Sequence, residues 1–166
     1  MNPSRSPGAW KRLGRLIAAT LAAVGFVGAC DLQNIAELDV REKFGQPEAV
    51  WEGQDGAQVY EYNRQPEGVV NYMITVGADG VLVKVSQVLN EETFAQVQPG
   101  MSMEQVRRLL GKPRKSQSYG LSGETALDWR FQPRGQAEPR LFSVTFSRDL
   151  RVLRSAVITD PDLERR

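Results

Sequence analysis

Residues 99–113 have the sequence PGMSMEQVRRLLGKP, which predicts one short helix with both of its ends marked. Ser102 and Gln105 have the spacing of a capping box, in which each side chain accepts a hydrogen bond from the other residue's backbone N–H. Gly111 follows the last apolar position, where a helix commonly ends in a left-handed residue, and the proline two residues later prevents continuation. We therefore predict a helix over residues 103–110.

The same pattern occurs twice in the chain. The aligned segments are residues 40–47 with 106–113 at an offset of 66, residues 60–62 with 129–131 at 69, and residues 72–76 with 142–146 at 70. The growing offset indicates short loop insertions in the second copy. We therefore predict a tandem duplication, each copy beginning with a helix.

Apolar residues alternate along the chain after each helix, as is typical of strands with one buried face. The predicted inward residues are Tyr60, Tyr62, Val70, Tyr72, Ile74, Val76, Val81, Val83 and Val85 in the first copy, and Leu127, Trp129, Phe131, Phe142, Val144 and Phe146 in the second. Residues 152–159 are a third apolar run of the second copy, entered by a turn at 147–149. A helical turn is expected at residues 90–97, presenting Phe94 and Val97 to the core. The fold class is thus α+β, with two tandem repeats of short helices on a roughly three-stranded antiparallel sheet, packed together or sharing a sheet.

The N-terminus has the order of a bacterial export signal. Four basic residues in the first 15 are followed by 12 mostly apolar residues at 16–27, too few for the roughly 20 that span a bilayer. The next residues, ending in Ala29-Cys30, resemble a lipobox, which implies cleavage after Ala29 and S-diacylglycerol and N-acyl groups on Cys30. Three acyl chains give stable attachment. The alternative is a soluble secreted protein in which Cys30 is a free thiol.

Composition excludes most catalytic chemistry. The 166 residues contain no histidine and one cysteine, which removes histidine bases, Cys-His dyads, internal disulfides and thiolate metal clusters. Charge is divided unevenly: residues 31–98 have 4 basic and 12 acidic residues, whereas residues 99–166 have 13 and 8. This balance is not the strongly basic face of a nucleic-acid-binding protein. We predict no catalytic residues, no metal site and no small-molecule substrate.

A family resemblance rests on the quoted stretch and on the aromatic strand and hairpin that follow it. Residues 97–159 closely resemble the SmpA/OmlA (BamE-like) family of outer-membrane assembly lipoproteins, and residues 38–89 resemble it more weakly. The duplicated unit is also similar to β-lactamase inhibitor proteins. The resulting boundaries are a signal peptide (1–29), a lipidated cysteine and tether (30–37), a first repeat (38–90), a second repeat (91–160) and a polar tail (161–166).

Candidate binding residues fall into two groups. The first is a basic cluster on and after the second helix, which could meet anionic lipid or an acidic partner; it consists of Arg107, Arg108, Lys112, Arg114 and Lys115. The second is the pair Trp51 and Tyr119, aromatic residues just after the helix-ending segments. We expect the acidic groups Glu91-Glu92 and Asp160/Asp162/Glu164 to be solvated surface.

The resemblance implies a non-catalytic accessory protein in the machinery that assembles β-barrel proteins into the outer membrane. Its partners would be subunits of that machinery and, through the lipid on Cys30, the phospholipid bilayer; no other cofactor is expected. The location would be the periplasmic face of the outer membrane, with Asp31 leaving the inner membrane as the alternative. The alternative function is an inhibitor-like or envelope-integrity module that binds another periplasmic protein.

Overall fold

The computed structural model describes residues 37–163, which lie within one compact unit. The predicted signal peptide, its predicted cleavage residue Ala29, the predicted lipid anchor Cys30, most of the predicted tether and Glu164 lie outside the described residues. Among residues 37–163, no helix is both long enough and apolar enough to cross a membrane.

Each repeat consists of one or two short α-helices followed by a four-stranded antiparallel sheet. The first contains α1 (Glu37–Phe44), β1 (Ala49–Glu52), β2 (Gln58–Asn63), β3 (Asn71–Val76) and β4 (Leu82–Gln87). The second contains α2 (Glu91–Phe94), α3 (Met103–Leu110), β5 (Lys115–Tyr119), β6 (Glu124–Phe131), β7 (Arg140–Phe146) and β8 (Val152–Thr159). Sheet 1 has the order β1-β2-β3-β4, and sheet 2 has the order β5-β6-β7-β8. The α+β fold class and the two sheets confirm the predicted architecture.

Helix α3 begins and ends where the sequence predicts. The Ser102 hydroxyl accepts from the Gln105 amide at 3.1 Å, and the Gln105 side chain accepts from the Ser102 amide at 2.8 Å, which completes the capping box. Gly111 has the expected positive φ of 79°, but its ψ of −166° lies outside the left-handed helical region. This combination is almost restricted to glycine. The predicted left-handed cap is therefore corrected to a more extended, glycine-only conformation.

Each sheet has four strands where about three were predicted. The additional strands are the edges β1 and β5, which pair with β2 and β6. All five residues of β5, with the sequence KSQSY, are exposed. A strand at the edge of a sheet with no buried side needs no apolar alternation, so the hydropathy pattern gave no signal for it.

Strand pairing corrects one of the predicted repeat offsets. Tyr62 lies opposite Tyr72, and Trp129 lies opposite Phe142. Both sheets have a bulge at the same place, after Thr75 and after Thr145, which equates β3 with β7 at the predicted offset of 70. Tyr62 therefore corresponds to Trp129 at an offset of 67, and not to Phe131 at the predicted offset of 69.

The predicted inward face of β4 is also wrong. Val83 and Val85 are exposed, and Leu82 is the buried residue. The bulge pairs Leu82 with the buried Val76, and β4 is the edge strand of sheet 1. An alternation read from the sequence alone cannot detect the extra residue that a bulge inserts.

Helix α3 lies between the two sheets. Val106 and Leu110 of α3 are fully buried in one core with Met73 of sheet 1 and the inner residues of sheet 2. The buried sheet 2 residues are Leu127, Trp129, Phe131, Phe142, Val144, Phe146 and Val152, joined by Phe94 and Val97 as predicted. A second core joins Val40 of α1 to the opposite face of sheet 1. The layers are thus α1, sheet 1, α3 and sheet 2.

Candidate protein-binding surfaces

A buried polar seam joins the end of α3 to sheet 1. The fully buried Glu61 carboxylate accepts from the Lys112 amide at 2.5 Å, and the Asn71 amide group donates to the Leu110 carbonyl at 2.8 Å. Both residues point to the face of sheet 1 opposite α1. On the other side of the helix end, the Trp129 indole donates to the Gly111 carbonyl at 3.0 Å. The seam therefore satisfies backbone groups that the helix end leaves without partners.

The close approach at the seam explains why residue 111 is glycine. A Cβ atom there would lie 2.8 Å from a Glu61 carboxylate oxygen and 3.0 Å from the Asn71 side-chain nitrogen. Gly45 is its counterpart at the end of α1 and also has positive φ, but a Cβ there would meet no atom within 4 Å. The Gly-x-Pro segment of the second repeat thus holds the two repeats together, in addition to ending a helix.

The structure divides the predicted basic cluster into separate environments. Arg108 forms an ion pair with Glu104 at 2.8 Å, and its guanidinium lies 5.3 Å from the Trp51 ring centroid. Lys112 forms an ion pair with Glu48 of the first repeat. The remaining members are Arg107, which is half-buried on α3, Arg114, which is paired with the C-terminal turn, and Lys115, which is exposed on β5. Their binding of lipid or of a partner stays a prediction.

The two candidate aromatic residues also differ from each other. Trp51 lies in β1, half-buried beneath Arg108, so its ring face already has a partner within the chain. Tyr119 ends β5 and is 45% exposed beside Leu121, whose side chain is fully exposed at the tip of the β5–β6 hairpin. Both residues thus lie in edge strands of their sheets, each just after a helix-ending segment. Tyr119, with its hairpin, remains the candidate for contact with another protein.

A buried ion-pair network, here called the C-terminal clamp, consists of Arg114, Arg130, Asp160 and Asp162. Asp160 is fully buried and accepts from Arg130 at 2.7 Å and from Arg114 at 3.1 Å, and Asp162 pairs with Arg114. Burial alone raises the pKa of Asp160, but the Asp162 amide and the two guanidinium groups outweigh it, so this pKa lies below its ordinary value. The prediction of a solvated acid is wrong for Asp160, which is fully buried against Arg130, whereas Asp162 is exposed as predicted although it pairs with Arg114.

The outer face of sheet 2, which points away from α3, carries an open cleft. A volume of about 490 Å³ lies between the β5–β6 hairpin and the sheet, floored by Ala126, Ser143 and Thr145. Arg154 stands at its rim and pairs with Glu124 at 3.3 Å. Among residues 37–163, no group of three or more acidic, histidine or cysteine side chains is arranged to hold a metal ion.

The fold and these surfaces define a duplicated α+β domain in which one helix is held between two antiparallel sheets. Residues 86–155 match the family model described as the outer membrane protein assembly factor BamE domain. This match confirms that the second repeat resembles the BamE-like (SmpA/OmlA) family, as the sequence predicts. The matched range contains α2, α3 and sheet 2 almost to the end of β8.

Two solved structures are similar to parts of the chain. One is described as a putative osmotically inducible lipoprotein, OsmE, with 24% identity and a TM-score of 0.38, over 47% of this chain and 81% of that one. The other is the DUF4309 family protein YjgB of Bacillus subtilis subsp. subtilis str. 168, with 16% identity and a TM-score of 0.29, over 75% of this chain and 78% of that one. No curated protein matches the chain.

Sequence reasoning missed the seam and the clamp. Glu61 and Asn71 occupy outward polar positions of the predicted alternation, so the pattern contained no signal that either residue is buried. A buried polar residue in a strand needs a hydrogen-bond partner, but the sequence does not say which backbone group supplies it. The pairing of Asp160 with Arg130 joins residues 30 positions apart and has no local signal at all.

Proposed function

We propose that this protein is a membrane-anchored periplasmic lipoprotein that acts as a non-catalytic accessory in the assembly of β-barrel proteins into the outer membrane. The single observation that carries the proposal is the match of residues 86–155 to the BamE assembly-factor domain. Its partners would be subunits of the assembly machinery, and its anchor would be the N-acyl and S-diacylglycerol lipid on Cys30. The lipidated protein would lie on the periplasmic face of the outer membrane.

The geometry supports a bracing role for the domain. The polar seam and the shared core fix the two repeats to each other through α3, so a load applied to sheet 2 is transmitted to sheet 1. The C-terminal clamp fixes the end of the last strand to β6 through Arg130 and to the residue before β5 through Arg114. Two repeats joined in this way, with an open cleft on the outer face of sheet 2, suit a protein that holds larger subunits in position by binding them.

The test is a crosslinking pull-down of the full-length chain from native outer membranes. Recovery of the barrel-assembly subunits is the expected result. Recovery of a single periplasmic enzyme, with no assembly subunit, would instead support the inhibitor-like alternative and refute the proposal. A measured delay in folding of newly exported barrel proteins after deletion of the chain provides an independent readout of the same role.

The anchor is tested separately by Cys30→Ser. Without the thiol no diacylglycerol can be attached, so we expect an unprocessed or soluble product in detergent partitioning. Mass spectrometry of the mature wild-type N-terminus should show the acyl groups on Cys30. An unmodified Cys30 there would show that the protein is held by its partners alone or is soluble.

A further inference from the structure

The outer face of sheet 2 occupies the same position in the second repeat as the surface of sheet 1 that receives α3. The bulges after Thr75 and Thr145 relate the two faces residue by residue. On sheet 1 the surface beside Arg108 and Leu109 of α3 is a cleft of about 520 Å³, whose floor is formed by Val59, Met73, Thr75, Lys84 and Ser86. Their counterparts on sheet 2 are Ala126, Ser143, Thr145, Arg154 and Ala156. All five counterparts line the open clefts of sheet 2.

One half of this face is already filled within the chain. On sheet 1 that half holds the end of α3 through Glu61 and Asn63, both of which bind Lys112. The counterpart of Asn63 on sheet 2 is Arg130, and it holds Asp160 of the C-terminal turn. The turn therefore takes the place of a helix end. The other half forms the open cleft, in which Ser143 is half-buried and Ala126 and Thr145 are only 7% and 9% exposed.

The size of the floor residues indicates what the open half can accept. Val59 and Met73 on sheet 1 project into the core beneath α3. Their counterparts on the floor of the 490 Å³ cleft are the smaller Ala126 and Ser143. An occupant that fills this space by close packing must supply large apolar side chains of its own. Tyr119 and Leu121 of the hairpin form an apolar wall beside it.

The charge of the chain around each sheet indicates whether the occupant of the cleft should be acidic or basic. Sheet 1 belongs to an acidic half of the chain, and it receives the basic helix α3, with Lys112 paired to Glu48. Sheet 2 belongs to the basic half, residues 99–166, with 13 basic and 8 acidic residues. Arg154 at the rim of the cleft has a side chain that is 62% exposed although it is paired. Complementary potential therefore favours an acidic partner.

We infer that the outer face of sheet 2 binds an acidic amphipathic α-helix of a partner protein, as sheet 1 binds α3 within the chain. The partner helix places large apolar side chains over Ala126 and Ser143 and acidic side chains near Arg154. This inference rests on the proposed function and adds to it the binding surface and the kind of segment that the surface recognises.

The test is site-specific photocrosslinking of the full-length chain in native membranes. A benzophenone amino acid replaces Ser143 or Ala156 on the outer face, and Val83, 66% exposed on the edge of sheet 1, is the control position. Mass spectrometry then locates the crosslinked residue in the partner. We expect both outer-face probes to label an α-helical segment rich in acidic and large apolar residues, at least tenfold more strongly than the control probe.

A blocking variant gives a second measurement. Ser143→Trp fills the cleft from an exposed face of β7, and it should reduce labelling by the probe at Ala156 at least fivefold. The matched variant Val83→Trp adds the same side chain elsewhere and should leave that labelling unchanged. Circular-dichroism spectra and thermal melts of both variants check that the fold is retained. Unchanged labelling in a folded Ser143→Trp protein would overturn the inference.

The outcomes separate the inference from the proposed function. Labelling of an extended strand, a second copy of the chain, the chain's own residues before 37, or nothing from this face would overturn the inference. Labelling of an acidic helix in a protein outside the assembly machinery would support the inference and refute the proposed function. Capture of assembly subunits only through other surfaces would support the proposed function and overturn the inference.

Discussion

Substitution of Gly111 by alanine should destabilise the protein far more than the same change at Gly45. At Gly111 the backbone conformation, with φ 79° and ψ −166°, costs an alanine about 1–3 kcal/mol. The added Cβ also lies 2.8 Å from a buried Glu61 oxygen, and overpacking of this kind costs about 1–3 kcal/mol more. The sum is about 2–6 kcal/mol.

Gly45 is the matched control because it has the same role in the first repeat. Its φ of 81° carries a strain of about 1–2 kcal/mol for alanine, and no atom lies within 4 Å of the added Cβ. Urea unfolding of the soluble chain from residue 31 measures both free energies. In a Glu61→Ala background, the cost of Gly111→Ala should fall by about 1 kcal/mol or more, since the close contact is gone.

Equal costs for Gly111→Ala and Gly45→Ala would refute the reasoning. That result would mean that the helix end does not press against sheet 1, and that the seam does not hold the repeats together. If Gly111→Ala costs the same unfolding free energy in the Glu61→Ala background, the contact with Glu61 contributes nothing to that cost. Backbone strain at residue 111 would then be its only source.

Three further predictions concern the helix cap, the clamp and the basic cluster. Ser102→Ala should cost about 1 kcal/mol in urea unfolding by leaving an amide without its acceptor; no loss would mean that water replaces the cap. The pKa of Asp160 is lowered on folding, so its contribution to stability is complete above the ordinary value of 3.8 and is lost as pH falls below it. Asp160→Asn should cost about 3–5 kcal/mol near neutral pH and should flatten the acid limb of a plot of stability against pH, whereas an unchanged limb would assign acid unfolding to other groups. Lys112→Glu should lower stability by about 1 kcal/mol, because it places like charge against Glu48, whereas Lys115→Glu should stay within about 0.5 kcal/mol. Equal effects of Lys112→Glu and Lys115→Glu would contradict the finding that these two lysines lie in different environments.

Local sequence was sufficient for features whose causes lie within a few residues. The Ser102 and Gln105 cap needs only side chains three positions apart, and it forms as predicted. The alternation of Trp129, Phe131, Phe142 and Val144 identified buried strand faces, because a period of two follows from the pleat of the strand. The repeat itself was visible because both copies end a helix in the same way.

Features that depend on long-range placement were not accessible in this way. The edge strand β5 has no buried side, so its membership of sheet 2 follows only from the position of β6. The bulge at Val83 shifts the alternation of β4 so that Leu82 lies opposite the buried Val76, and it is set by pairing with β3. The basic cluster appeared continuous in sequence, but Lys112 and Arg114 pair with acids 64 and 46 positions away.

The sequence by itself determined two helix-and-sheet repeats, a composition without histidine, a predicted lipid anchor and the family resemblance of the second repeat. Each of these depends on residue type and short spacing, which the chain carries without folding. The tertiary structure alone decided that α3 is shared between the sheets, that Glu61 and Asp160 are buried, and that the outer face of sheet 2 carries an open cleft among residues 37–163. These features depend on which surfaces pack together, because a charged group that becomes buried on folding must be paired or hydrogen-bonded within the chain.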